Sequence, residues 1–206
     1  MKKNNYELLI ATKNVGKITE LKNLLADSPF RLRSLNDFMN VNEPEETGAT
    51  FAENACLKAK SYALQTRLRA LADDSGLEVE VLNGAPGIYS ARYAGENTTD
   101  SKRMEKLLKE IGKKDDKSRR ARFVCVMAIA DETGKIEFAA EGTCEGKIAQ
   151  TAGGSGGFGY DPIFIPDGYT KTFGELSGDI KQQISHRARA TFKIIEHLRR
   201  FYAALS

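Results

Sequence analysis

Phe123-Val-Cys-Val-Met-Ala-Ile-Ala130, Asp131-Glu-Thr-Gly134 and Ile136-Glu-Phe-Ala-Ala-Glu-Gly-Thr143 follow one another almost without a break, and their reading decides the fold. The first is an apolar run of strand length, the second has turn chemistry and the third is strand-like again, so the three predict a β-hairpin. Toward the N terminus the pattern changes. Tyr6 to Ala11 reads as a buried strand, Ile18, Leu21, Leu24 and Leu25 then recur at helical spacing, and Phe30 to Leu35 alternates as another strand. Strand, helix and strand in succession mark a crossover, which joins parallel strands, whereas a hairpin joins antiparallel ones. A chain holding both predicts an α/β protein with a mixed β-sheet flanked by helices.

Between these regions, an acidic loop with Glu43, Glu45 and Glu46 leads to Thr50-Phe-Ala-Glu53, a capping box that predicts a helix running to about Gln65. Asn54 and Lys58 are four apart and share one face of it, while Ala52, Cys56, Ala59 and Ala63 form a small-residue packing stripe. Ala70 to Ala72 reads as a short strand that delivers Asp73 and Asp74 into the turn Asp73-Asp-Ser-Gly76. Residues 83 to 97 read as an ordered loop, and Met104, Leu107, Leu108 and Ile111 support a helix from Thr99 to Ile111. A last long helix places Ala188, Phe192, Ile195, Leu198 and Tyr202 on its inner face.

With 206 residues, 41% of them hydrophobic, the chain suits one domain over 1–206 with a core that can divide into two lobes around a cleft. A net charge of +3, from 31 basic and 28 acidic residues spread throughout, gives no argument for nucleic acid. The basic groups Lys113, Lys114, Lys117, Arg119, Arg120 and Arg122, and Arg199 and Arg200, lack interleaved aromatics and read as solvated faces. Cys56, Cys125 and Cys144 have no C-x-x-C spacing and read as reduced, buried thiols. The apolar stretch after Met1 is too brief for an export signal, and no run approaches a membrane span, so a cytoplasmic protein is expected.

Lysines at helix mouths and faces, carboxylates in loops and a glycine-rich loop with an aromatic and an aspartate together suit a polyphosphate substrate. Lys17 sits where a helix N-terminus presents free amides, Lys58 adds a second cation, and Asp73, Asp74, Glu45 and Glu46 can hold Mg²⁺. Three formal matches fail on context. A P-loop would need glycine at Ala11 and Ser or Thr at Ile18. Gly154-Ser-Gly-Gly-Phe-Gly159 fits G-x-G-x-x-G but leads into Tyr160-Asp-Pro162 rather than a helix. Ser155, with Asp179 and His186 after it, fits the order of a serine hydrolase, yet it sits among glycines with no helical pattern behind it. His186 and His197 offer no zinc spacing.

Seven blocks carry a resemblance: Thr12-Lys-Asn-Val-Gly-Lys17, Glu45-Glu-Thr-Gly48, Thr50 to Ala59, Ala72-Asp-Asp-Ser-Gly-Leu77, Gly84 to Arg92, Gly157-Phe-Gly-Tyr-Asp-Pro162 and Ser185-His-Arg187. In this order they resemble the inosine/xanthosine triphosphate pyrophosphatase family over nearly the whole chain. The resemblance implies an elongated mixed sheet with two helical lobes and a central substrate cleft, a homodimer, and Mg²⁺-dependent cleavage of ITP, dITP and XTP to monophosphate and pyrophosphate. It implies Asp74 as general base and metal ligand, with Glu45 or its neighbour Glu46 helping to hold the metal. Thr12, Lys13, Asn14, Val15, Gly16 and Lys17, with Lys58, would contact the triphosphate. Ser75, Phe158, Gly159, Tyr160, Asp161, Lys181, His186 and Arg187 would frame the nucleoside, Phe158 by stacking. Buried donors and acceptors matched to a 6-keto purine would be left unpaired by adenine, at about 1–3 kcal/mol per group. Guanine shares that keto group, so rejection of GTP does not follow from the match. Lys13 stands where relatives often have glycine; either it adds a cation near the phosphates or it faces solvent. A nucleotide-binding module without catalysis is the alternative that the same phosphate-binding features allow.

Overall fold

A computed structural model gives the fold over residues 6–28, 30–114 and 118–203, the side chains of 201–203 excepted. The start of the chain at residues 1–3, Lys117 and the side chain of Tyr202, all considered above, lie outside the described residues. Strand β1 (Glu7–Ile10) buries Leu8, Leu9 and Ile10 almost completely. Helix α1 (Val15–Leu24) carries the chain to β2 (Arg31–Ser34), which pairs parallel to β1 with Glu7 opposite Arg31 and Ile10 opposite Ser34. Helix α2 (Phe51–Thr66) follows and leads to β3 (Ala70–Val79), also parallel to β1, with Leu9 opposite Ala70. After two 3₁₀ segments at Glu80–Leu82 and Gly87–Arg92 come α3 (Asp100–Gly112) and the hairpin of β4 (Arg120–Ala130) and β5 (Ile136–Ile148). A short β6 (Phe164–Pro166) pairs antiparallel to β5, and α4 (Gly178–Ile184) and α5 (His186–Ala203) complete the described chain. The sheet order is β2-β1-β3-β4-β5-β6, so parallel and antiparallel pairings share one sheet and the α/β reading holds. Among the described residues no helix is long and apolar enough to cross a membrane.

Local chemistry explains the element ends. Thr50 Oγ1 accepts from the Glu53 amide at 3.1 Å while the Glu53 carboxylate accepts from the Thr50 amide at 3.2 Å, the capping box that starts α2. The β4–β5 turn is held by Asp131, whose Oδ1 accepts from the Thr133 amide at 2.9 Å, the Thr133 hydroxyl at 2.6 Å and the Lys135 amide at 3.0 Å. Gly134 takes φ +82° there, a conformation open to glycine at little cost.

The chain divides into two compact units, residues 1–74, 125–141 and 189–206 in the first and residues 75–124 and 142–188 in the second. The first has a core of Leu8, Ile10, Leu21, Leu71, Met127, Ile129, Ile194 and Leu198. The second packs Leu77, Leu107, Ile111, Phe123, Phe164 and Phe173, with the Phe123 and Phe164 rings 4.5 Å apart.

Several expectations are corrected. Asp73-Asp-Ser-Gly76 is not a turn: β3 runs straight through it, because partners from α1 and α2 meet both carboxylates and leave no need to bend toward water. On α2 the buried line is Phe51, Asn54, Ala55, Lys58, Ala59, Tyr62 and Ala63, whereas Ala52 is exposed and Cys56 half-buried, since the Asn54–Lys58 face itself is the inner one. On α5, Ala188 and Leu198 are buried as expected, but Phe192 is 50% exposed, and Ala190, Thr191 and Ile194, roughly 100–160° round the helix from it, are buried. Cys125 and Cys144 are buried, and all three cysteines are free thiols. The basic run on β4 is the solvated face expected, with exposed Arg120 paired to Asp167 at 2.8 Å and exposed Arg122 to Glu78 at 2.7 Å.

Candidate active site

In the first unit, Asn14 caps α1, its side chain accepting from the Lys17 amide at 3.1 Å, and the Thr12 hydroxyl accepts from the Asn14 amide at 3.2 Å. Lys17 therefore belongs to the first turn of α1, where Val15 and Gly16 also lie, and not to the loop before it. Its ammonium reaches down to Asp73 Oδ2 at 2.9 Å. Asp73 and Asp74 are consecutive on a strand and so face opposite sides of the sheet. Asp73 takes Lys17, and Asp74 turns to α2. There Lys58 Nζ donates to Asp74 Oδ1 at 3.0 Å and to Glu46 Oε1 at 2.7 Å, and Asn54 Nδ2 donates to Asp74 Oδ2 at 3.3 Å. The spacing of four on α2 brings Asn54 and Lys58 to one carboxylate. Asn54 was legible as a neighbour of Lys58, but nothing in the sequence joined it to Asp74. Glu45 is exposed beside Glu46, and Lys13 faces solvent in an exposed ion pair with Glu43 at 3.3 Å.

The electrostatics of this cluster follow from burial. Burial of Asp74, helped by the neighbouring Glu46 charge, raises its carboxyl pKa against the opposing pull of the Lys58 and Lys17 ammonium groups. For Lys58, burial alone would depress the ammonium, but the charges of Asp74, Asp73 and Glu46 outweigh it and hold the pKa above the ordinary value. A carboxylate with a raised pKa is a better proton acceptor than a solvated one. The donor set also fits a hard cation: Asp74 and Glu46 each put an oxygen within 3.0 Å of Lys58 Nζ, so two carboxylates converge on one point. Among the described residues no group of three or more His, Cys, Asp or Glu is placed to hold a metal. Two carboxylates match Mg²⁺, which takes one or two and fills its remaining positions with water and substrate phosphates.

In the second unit, Phe158, Gly159, Tyr160 and Asp161 form a tight loop. Gly157 takes φ +73°, and a Cβ on it would come within 2.0 Å of the Asp161 carboxylate, so only glycine fits there. Asp161 Oδ2 accepts from the Phe158 amide at 2.8 Å and is ion-paired with the buried Lys181 of α4. The Lys181 ammonium and the Arg187 guanidinium carbon lie 4.7 and 5.7 Å from the centroid of the Phe158 ring. Arg187, 1% exposed, donates to Ser75 Oγ at 2.9 Å, and His186 stacks on Phe123 with centroids 4.6 Å apart. Tyr160 is buried and donates from its hydroxyl to the Ser90 carbonyl at 3.0 Å. A half-buried aromatic ring ringed by cations and fixed amides can stack on and hydrogen-bond to a planar heterocycle. Gly159 is held from outside the loop by Asp100, which the sequence did not single out. Ser155 lies exposed in the glycine loop, followed by a 3₁₀ turn and β6, so no nucleophile elbow forms. His197 stacks on Phe138 at 4.3 Å.

Comparison with known proteins gives concordant matches. The model of the Ham1 family matches residues 8–197. A dITP/XTP pyrophosphatase of Desulforamulus reducens is 48% identical over 196 residues, 95% of this chain and 97% of the relative, and one of Bacillus cereus is 46% identical over 95% and 96%. Among solved structures, a HAM1 protein from Coxiella burnetii superposes with a TM-score of 0.87 at 41% identity, covering 95% of this chain and 99% of that one. The Staphylococcus aureus Ham1 protein gives 0.82 at 44% identity over 94% and 98%.

Proposed function

The chain belongs to the Ham1 family, and on that premise we propose that it hydrolyses the non-standard purine nucleoside triphosphates dITP, ITP and XTP to the monophosphate and pyrophosphate. The observation that carries the reading is the buried Asp74 carboxylate, raised in pKa and fixed by Lys58 and Asn54. It acts as general base, taking a proton from a water that attacks in line, and the α–β phosphoanhydride bond breaks with pyrophosphate as leaving group. Lys17, Lys58 and the free amides at the start of α1 offset the charge on the phosphate oxygens. Lys17 has three donors and spends one on Asp73, which leaves others for a phosphate. Thr12, Lys13, Asn14, Val15 and Gly16 surround that helix mouth.

Asp74 with Glu45 or Glu46 would hold Mg²⁺, which supplies charge neutralisation and Lewis-acid polarisation at the phosphates. Ser75, Lys181, His186, Arg187 and the loop Phe158, Gly159, Tyr160 and Asp161 take the nucleoside, Phe158 by stacking on the base. The family match runs through both units, which supports a single functional domain over 1–206. A cytosolic homodimer completes the reading; the free thiols suit a reducing compartment.

The test is to incubate the purified protein with ITP, XTP, GTP and ATP, with and without Mg²⁺, and to quantify pyrophosphate separately from orthophosphate. We expect Mg²⁺-dependent pyrophosphate release favouring ITP and XTP, lost in Asp74→Asn while the circular dichroism spectrum is kept. Orthophosphate as product, or normal turnover by that variant, would overturn the assignment, and bound nucleotide without product would leave a binding module.

A further inference from the structure

The loop that carries Phe158 has few handles by which the rest of its unit can hold it. Gly157 and Gly159 both take positive φ, +73° and +64°, and neither has a side chain to pack. The Phe158 amide is used within the loop, on Asp161. Gly159 is held through its amide, which donates to Asp100 Oδ2 at 2.6 Å across 59 residues of sequence. Asp100 opens α3, where the helix dipole favours a negative charge. Its other oxygen is ion-paired with Arg103, one turn on. That guanidinium is itself fixed, donating to the Ala91 carbonyl at 2.6 Å and the Thr98 carbonyl at 3.2 Å. Next door, the Tyr160 hydroxyl reaches the Ser90 carbonyl at 3.0 Å, and Ser90 Oγ accepts from the Leu77 amide of β3 at 2.9 Å.

From this geometry we infer that Asp100 is a positioning residue for nucleoside recognition: with Arg103 it fixes the Gly159 amide and thereby the height and tilt of the Phe158 ring beside it. The inference rests on the reading that Phe158 stacks on the base. A charge-assisted hydrogen bond to a backbone amide is among the stronger single contacts a loop can have. Its loss frees the ring to move without removing any group from the carboxylate and lysine cluster on β3 and α2. The effect therefore falls on substrate binding and leaves the chemical step in place.

Steady-state kinetics on ITP test it with Asp100→Ala, Asp100→Asn and Phe158→Ala, each with its thermal midpoint. We expect Asp100→Ala to raise KM about tenfold with kcat within about threefold, as loss of one hydrogen bond to a charged group would give. Asp100→Asn keeps an acceptor for Gly159 and recovers most of the KM. Unchanged KM in Asp100→Ala beside a raised KM in Phe158→Ala would overturn the inference alone. A fall in kcat matching a lower folded fraction, with KM unchanged and no rescue by asparagine, would also overturn it, as a merely structural role. Unchanged KM in Phe158→Ala would remove the stacking reading and the inference with it.

Discussion

Lys58 is the residue on which the first cluster turns. Its ammonium is shared by Asp74 and Glu46, at 3.0 and 2.7 Å, and its side chain is 11% exposed. Removing one partner of a buried ion pair leaves the other charge poorly solvated, at about 3–5 kcal/mol. Glu46 keeps 29% of its side-chain surface in water, so the lower end applies. Lys58→Met is expected to lower the stability of the metal-free protein by about 3 kcal/mol in urea. The same change in an Asp74→Asn background costs clearly less, and equal costs in the two backgrounds would show that the pair is not coupled. The α2 face with Lys58 and the start of α1 were legible in sequence because their signals are local: a capping box, a spacing of four, a strand leading into a helix. The Arg187–Ser75 and Gly159–Asp100 bonds span 112 and 59 residues, and no short-range pattern announces them.

At the scale of the element, the hairpin was readable because one turn residue supplies most of the contacts that close it. Hydrogen bonds from the Thr133 hydroxyl and then from the Lys135 and Thr133 amides hold the Asp131 carboxyl below its usual pKa. A depressed folded-state pKa means that the unfolded chain binds the proton more readily. The contribution is therefore complete above the ordinary aspartate value of about 3.9 and is lost as pH falls through the depressed folded value. Asp131→Asn is expected to lower the thermal midpoint at pH 7, and the gap to the parent protein should close below about pH 4. A gap independent of pH would show that the charge contributes nothing. Local signals misled at two other places. Asp-Asp-Ser-Gly has turn composition, but Lys17, Lys58 and Asn54 supply the partners that let β3 continue. On α5, the smaller Ala190 and Thr191 take the buried positions and the large Phe192 does not, which side-chain size alone cannot reveal.

Across the whole molecule, the mixed sheet could be anticipated from the coexistence of a crossover and a hairpin, whereas the short α4 and β6 left no periodic trace. Three strands, β3, β4 and β5, contribute residues to both compact units. In β3 the change falls between Asp74 and Ser75, which a single peptide unit joins. Strand side chains alternate, so adding or removing one residue there reverses the side on which every later residue emerges. Substitution can retune such a strand, but a change of length cannot be absorbed. In a library of single-codon insertions and deletions, those within Ala70–Val79 are expected to abolish soluble, active protein, while those in the exposed stretch 95–97 survive; active survivors inside β3 would refute this. Natural diversification of this chain would then proceed at the strand by exchange of residues and at its loops by growth.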